Sequence, residues 1–166
     1  FWPLCYGAKL VLAADGQHGD PQHVASLLEE HGITHSVFVP SLLDQLLDEL
    51  NGRPLPALQL VIACGEPLKT STARACCRGL PGVELVNLYG PTEGSMTMLR
   101  IPAALRAKDL LRYPIGSPIE NTLVLCAAGG PPAMTLSPVL SRGELLFGGP
   151  LIARGYWKLP KLTEEK

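Results

Sequence analysis

Near the middle of the chain, Leu88-Tyr89-Gly90-Pro91-Thr92-Glu93 gathers the side chains that would hold a nucleoside phosphate. Tyr89 offers an aromatic face on which a base can stack, and Gly90 lets a ligand approach the backbone closely. Thr92 adds a hydroxyl, and Glu93 adds a hard carboxylate oxygen of the kind that takes Mg2+. Each member alone has a plainer role. Gly-Pro is a common turn dipeptide, a single carboxylate is usually solvated surface, and a single tyrosine usually packs in a core. The ordered set, more than any member, points to phosphate chemistry.

Such a loop must be held at the end of a strand, and the sequence supplies the strands. Val83–Asn87 reads as a strand running into the loop. Upstream, Ile33–Val39 is rich in β-branched and aromatic residues, and Leu58–Ala63 is an apolar run of strand length. Helical patterns separate them. Asp20-Pro21 gives an N-cap and first-turn signal before Val24, Leu27, Leu28 and His31, with Gly32 ending the pattern. Leu43, Leu46, Leu47 and Leu50 recur at helical spacing, and Ser41 with Asp44 resembles a capping box. Thr70–Arg78 fits a short helix with Gly79 past its end. This alternation demands parallel strands with right-handed crossovers, hence an α/β sheet. Ligands bind at the carboxyl ends of such strands, which here carry Pro40-Ser41, Cys64-Gly65-Glu66 and the Tyr89–Glu93 string. All three loops are expected at one edge.

From about Tyr113 the texture changes to short strand-like runs, Asn121–Cys126 and Glu144–Phe147, separated by Gly129-Gly130 and Pro131-Pro132. Antiparallel β or a partial barrel is expected there. The expected organisation is therefore an α/β sheet subdomain over 1–112 and a β-rich, barrel-like subdomain over 113–166. No internal repeat recurs at a fixed period.

Composition narrows the ligand. Fourteen Lys and Arg stand against 15 Asp and Glu, for a net charge of −1. That leaves no basic face for a nucleic acid backbone or a membrane surface, so neither is an expected partner. The 17 Gly and 16 Pro sit between apolar runs rather than in tracts, and punctuate a fold. Five cysteines, an odd number with no Cys-x-x-Cys pair, fit reduced thiols in a cytoplasmic compartment better than a disulfide framework. No stretch approaches the roughly 20 apolar residues of a spanning helix.

The string Asn87-Leu88-Tyr89-Gly90-Pro91-Thr92-Glu93 resembles the Asn-x-Tyr-Gly-Pro-Thr-Glu motif of nonribosomal peptide synthetase adenylation domains, members of the adenylate-forming, AMP-binding superfamily. The resemblance continues in Gly143-Glu144-Leu145, Gly148-Gly149, Ala153-Arg154-Gly155-Tyr156 and Pro160-Lys161-Leu162-Thr163-Glu164. Ile115-Gly116-Ser117-Pro118-Ile119 and Asn121-Thr122 look like the family's linking segment. The likeness covers nearly the whole chain. It implies a large α/β region, mostly parallel sheet with flanking helices, followed by the start of a distorted β-barrel.

The resemblance also implies roles. Tyr89 would stack on adenine, the backbone at Gly65, Glu66 and Pro67 would line the adenine site, and Asn87 and Gly90 would complete the nucleotide side. Thr92 would contact the α-phosphate of ATP and Glu93 would hold Mg2+, making these two the catalytic residues. A substrate carboxylate would attack the α-phosphate to give an acyl-adenylate and pyrophosphate. The acyl group would then pass to a phosphopantetheine thiol on a downstream carrier-protein domain. Val37, Ile62, Cys64, Leu88, Met96 and Thr97 would line the side-chain pocket, which suits an amino acid or other small carboxylic acid with an apolar side chain. Each of these six reads equally well as strand-end packing. Gly143, Glu144, Arg154, Gly155 and Tyr156 are expected to be structural.

The family's phosphate loop and amino-group aspartate are expected upstream of Phe1, and its ribose-binding aspartate and catalytic lysine downstream of Lys166. Lys158, Lys161 and Lys166 do not replace that lysine by position. Both edges are thus expected to be artificial, and the segment alone is expected to be poorly soluble and not to adenylate. Acyl or aryl ligases, which usually carry a shorter Tyr-Gly-x-Thr-Glu string, and aminoadipate-reductase-like proteins are the alternatives within the superfamily. A non-catalytic remnant serving as a packing module is the alternative outside it.

Overall fold

The computed structural model describes residues 2–94, 96–102, 110, 113–129, 134–138 and 140–165. Gly130, Pro131, Pro132 and Lys166, named above, lie outside the described residues. The chain divides into two compact units. One holds Phe1–Asn87 and Leu99–Pro114, the other Leu88–Met98 and Ile115–Lys166. The second therefore takes the candidate phosphate loop as well as the β-rich tail.

The first unit alternates helix and strand: α1 (Trp2–Cys5), α2 (Pro21–Glu30), β1 (His35–Phe38), α3 (Pro40–Leu50), β2 (Leu60–Cys64) and α4 (Thr70–Gly79), then β3 (Glu84–Tyr89) up to Asn87. Strand β1 pairs with β2 in parallel, with Val37 opposite Ile62 and Phe38 opposite Ala63. α2 begins as its sequence dictates. The Asp20 carboxylate accepts from the Gln22 N–H at 3.0 Å, and Pro21 fills the first helical position, where no N–H is needed. In α3, Leu43, Leu46 and Leu50 fall on one face and are at most 2 % exposed. Fully burying a leucine stabilises by about 1.5–3 kcal/mol, so this stripe anchors the helix to the sheet. The same core takes Val61 and Ala63 from one face of β2, and Leu85 from β3.

Two local expectations fail. Ser41 does not open a capping box, because extended Val39 is the N-cap and Pro40 the first helical residue, leaving Ser41 already inside the first turn. Helix α4 continues through Gly79 and ends at Leu80, whose N–H bonds the Cys76 carbonyl.

In the second unit, β4 (Thr97–Arg100) contributes Thr97 and Met98, which pair antiparallel with Pro118 and Ser117 of β5 (Ser117–Pro118). Strand β6 (Leu123–Ala128) sits between β7 (Thr135–Leu136) and β8 (Glu144–Gly148), antiparallel to both. Helix α5 (Pro160–Glu165) closes the unit. The antiparallel β expected beyond Tyr113 is present. The helix α5 was not foreseen, since six residues are too few for a period to show. Strand order in the larger sheet is β1-β2-β3-β4-β5.

Candidate functional site

Strand alternation decides which side chains of the first unit are available to a ligand. Along β2, Val61 and Ala63 are wholly buried, whereas Leu60, Ile62 and Cys64 are partly exposed. Successive strand residues face opposite sides, so Ile62 and Cys64 share the face away from the core. Val37, opposite Ile62 in the parallel register, joins them and is 57 % exposed. Three of the six candidate pocket residues therefore lie together. Val37 also borders an open cleft of about 420 Å³ whose wall includes Lys9, His18, Leu27, His31 and Thr34.

Past β2 the chain turns at Gly65, whose φ of +91° lies in the region that side-chain-bearing residues rarely adopt. A Cβ there would stand 3.4 Å from the Val39 side chain. The turn aims Glu66 back at α3. Glu66 Oε2 accepts from the Ser41 N–H and Oε1 from the Ser41 hydroxyl, both at 3.0 Å. Glu66 thus caps a helix whose own N-cap, Val39, has no side-chain acceptor, while Gly65, Glu66 and Pro67 stay exposed. Asn87 behaves differently. It is 5 % exposed, and its amide donates to the Pro114 carbonyl at 2.9 Å. In this structure it serves to tie down the end of β3.

The second unit holds the Tyr89–Glu93 loop. Tyr89 is 40 % exposed, with its ring stacked at 6.1 Å and 30° on Phe147 of β8. Gly90, Pro91, Thr92 and Glu93 are all exposed, and the Gly94 N–H closes a turn onto the Pro91 carbonyl at 3.2 Å. Leu88 is partly exposed and Met96 is 43 % exposed, while Thr97 is 1 % exposed, its hydroxyl without a partner among the described residues.

Glu93 is gripped through both its backbone and its side chain. Its carbonyl accepts from the Ala153 N–H at 2.7 Å, and its Oε1 accepts from the Tyr156 hydroxyl at 2.6 Å. The bond to Glu93 raises the Tyr156 phenol above its ordinary value of 10.0, with desolvation and the carboxylate's charge adding to the rise. Tyr156 is held in turn by α5, its N–H donating to Thr163 Oγ1 at 2.9 Å. Gly155 permits this approach. It has φ of +136°, and a Cβ would come within 2.5 Å of the Thr163 methyl.

Among the described residues no cluster of three or more His, Cys, Asp or Glu could cage a metal. One exposed carboxylate is nevertheless the donor set that suits Mg2+ arriving with phosphates, since that ion keeps waters and takes only one or two carboxylates. The residues present fit such an ion.

Comparison with known proteins gives a consistent picture. A family profile described as AMP-binding enzyme matches residues 1–157. Indigoidine synthase of Dickeya dadantii is 36 % identical, over 99 % of this chain and 11 % of its own length. Phosphinothricin tripeptide synthetase PhsB of Streptomyces viridochromogenes is 39 % identical, over 100 % of this chain and 14 % of its own. The chain thus spans a small part of the curated relatives it matches. Among solved structures, the nonribosomal peptide synthetase FmoA3 in an AMPPNP-bound form superposes with a TM-score of 0.86 at 27 % identity, over 97 % of this chain and 18 % of that one.

Proposed function

Because the chain belongs to the AMP-binding enzyme family, we propose that it is part of an amino-acid-adenylating domain of a nonribosomal peptide synthetase. Residues 1–112 are a portion of that domain's α/β sheet and 113–166 the start of its barrel. The observation that carries this reading is the exposed Tyr89-Gly90-Pro91-Thr92-Glu93 turn, anchored by Phe147 beneath the ring and by Ala153 and Tyr156 at Glu93.

The reaction joins a carboxylate to the α-phosphate of ATP and releases pyrophosphate. Tyr89 stacks on adenine, with the backbone at Gly65, Glu66 and Pro67 lining the base. Thr92 donates to the α-phosphate, Gly90 gives the phosphates room, and Glu93 would hold Mg2+, which when bound would supply positive charge beside the phosphates. What the chain's own residues contribute is mainly positioning and charge stabilisation. Asn87 keeps the end of its strand in place. By the family resemblance, Val37, Ile62, Cys64, Leu88, Met96 and Thr97 would contact the substrate side chain. The exposed members are all apolar or sulfur-bearing, which favours an apolar amino acid. The aminoacyl group then passes to a phosphopantetheine thiol on a carrier domain, forming a thioester as AMP leaves. Among the described residues none of the five cysteines forms a disulfide. Their odd number and the lack of a Cys-x-x-Cys pair favour reduced thiols and a cytoplasmic protein.

Amino-acid-dependent exchange of labelled pyrophosphate into ATP, measured on the complete domain that carries this segment, tests the reading. Exchange with apolar amino acids that is abolished by Glu93→Gln is the expected result. Exchange driven only by fatty or aryl acids would move the protein to the acyl ligases, and a preference for charged amino acids would overturn the pocket.

A further inference from the structure

Glu93 lies on an exposed turn, where a carboxylate ordinarily samples several rotamers. In this structure the segment Ala153–Tyr156 holds it at two points: the Ala153 N–H on its carbonyl, and the Tyr156 hydroxyl on Oε1. The holder is itself built. Tyr156 N–H rests on Thr163 Oγ1, which also donates to the Leu159 carbonyl at 3.1 Å, and Gly155 leaves space for the Thr163 methyl. Three residues 63 and 7 positions apart thus form one line: Thr163, Tyr156, Glu93. A tyrosine needed only for packing would not have to end on a carboxylate, and a threonine needed only for α5 would not have to accept from the Tyr156 backbone.

We infer that Tyr156, fixed by Thr163, is a positioning residue that sets the Glu93 carboxylate for its divalent cation; the inference rests on the metal role proposed above for Glu93. The phenol is neutral and donates one hydrogen bond, so it orients Oε1 without neutralising the carboxylate as a lysine or arginine would. Partners behind a ligating carboxylate tune affinity through orientation, and their loss commonly weakens metal binding by about 10–100-fold.

The test uses the complete adenylating domain carrying this segment, saturated with a non-hydrolysable ATP analogue, with bound Mn2+ read by electron paramagnetic resonance. Tyr156→Phe removes one oxygen. It is expected to raise the Mn2+ dissociation constant about tenfold and the Mg2+ concentration for half-maximal pyrophosphate exchange in parallel, while the KM for ATP at saturating Mg2+ changes less than twofold. Thr163→Val, which keeps the shape and loses the acceptor, should shift both readouts in the same direction by less. Glu93→Gln should lose the bound ion. If Tyr156→Phe and Thr163→Val bind Mn2+ as the parent does while Glu93→Gln does not, the positioning role is wrong and the metal role stands. If Glu93→Gln also binds Mn2+ normally, both fall.

Discussion

The Glu66 carboxylate closes on Ser41 from 25 residues away, taking its backbone N–H on Oε2 and its hydroxyl on Oε1. Ser41 is the second residue of α3, and Val39, the N-cap, has no side-chain acceptor to offer the first turn. The carboxylate also meets the positive end of the helix dipole. A residue that the family resemblance assigns to the adenine site through its backbone thus has a separate task for its side chain. Glu66→Ala should destabilise the fold by about 1 kcal/mol, the usual loss for a removed cap. Glu66→Gln, which keeps one acceptor, should cost less. Urea unfolding midpoints check both, and an unchanged midpoint for Glu66→Ala would show that the cap contributes nothing.

Asn87 pairs its amide N–H with the Pro114 carbonyl while 5 % exposed. Asn87→Asp would set a carboxylate oxygen against that carbonyl and bury an unpaired charge. The expected loss is about 1–3 kcal/mol or more, the penalty for a buried polar group without a partner. The denaturant midpoint should fall with the slope unchanged. A variant as stable as the parent would mean that the Asn87 amide faces water.

How much of this was legible in the sequence depended on range. Helix α3 could be read because Leu43, Leu46 and Leu50 repeat at its own period, and α2 because Asp20 and Pro21 act within one turn. The cap of α3 could not be read. Its acceptor, Glu66, comes from the turn after β2, so the local Ser41 and Asp44 pattern pointed to a capping box that Val39 and Pro40 preclude. Strands β5 and β7, two residues each, are too short for alternation to register. The Tyr89–Glu93 loop stood out as a chemical set in consecutive positions. Tyr156 and Phe147, which hold that loop, stood out only as family landmarks or not at all, because pairing across 63 residues is made by topology. The spacing around Gly155 gave the one local hint, and it pointed to structure.

Thr97 is 1 % exposed, and its hydroxyl has no hydrogen-bond partner among the described residues. A buried hydroxyl without a hydrogen bond costs on the order of 1–3 kcal/mol, and replacing it with an apolar group of the same shape can be neutral or stabilising. Thr97→Val should therefore leave the melting temperature unchanged or raise it. If Thr97 reaches the substrate side chain, the same variant should alter the KM for the amino acid and leave the KM for ATP unaffected. A substantial loss of stability would show that the hydroxyl is satisfied, by water or by a rearranged neighbour.

Tyr156 carries a signature in alkali. Removing its proton would break the bond to Glu93 and set two negative groups side by side, so the phenol is held above its ordinary 10.0, first by that bond, then by burial and by the carboxylate's charge. The folded value exceeds the unfolded one, so between the two the native chain binds more protons. The contribution to stability is therefore complete below pH about 10 and is lost as pH rises through the folded value. Ultraviolet difference titration of the parent against Tyr156→Phe should show one phenol ionising at more alkaline pH than free tyrosine. The parent's stability advantage over that variant should shrink across the same interval. A Tyr156 that ionises with free tyrosine would show that its hydroxyl does not rest on Glu93 in solution.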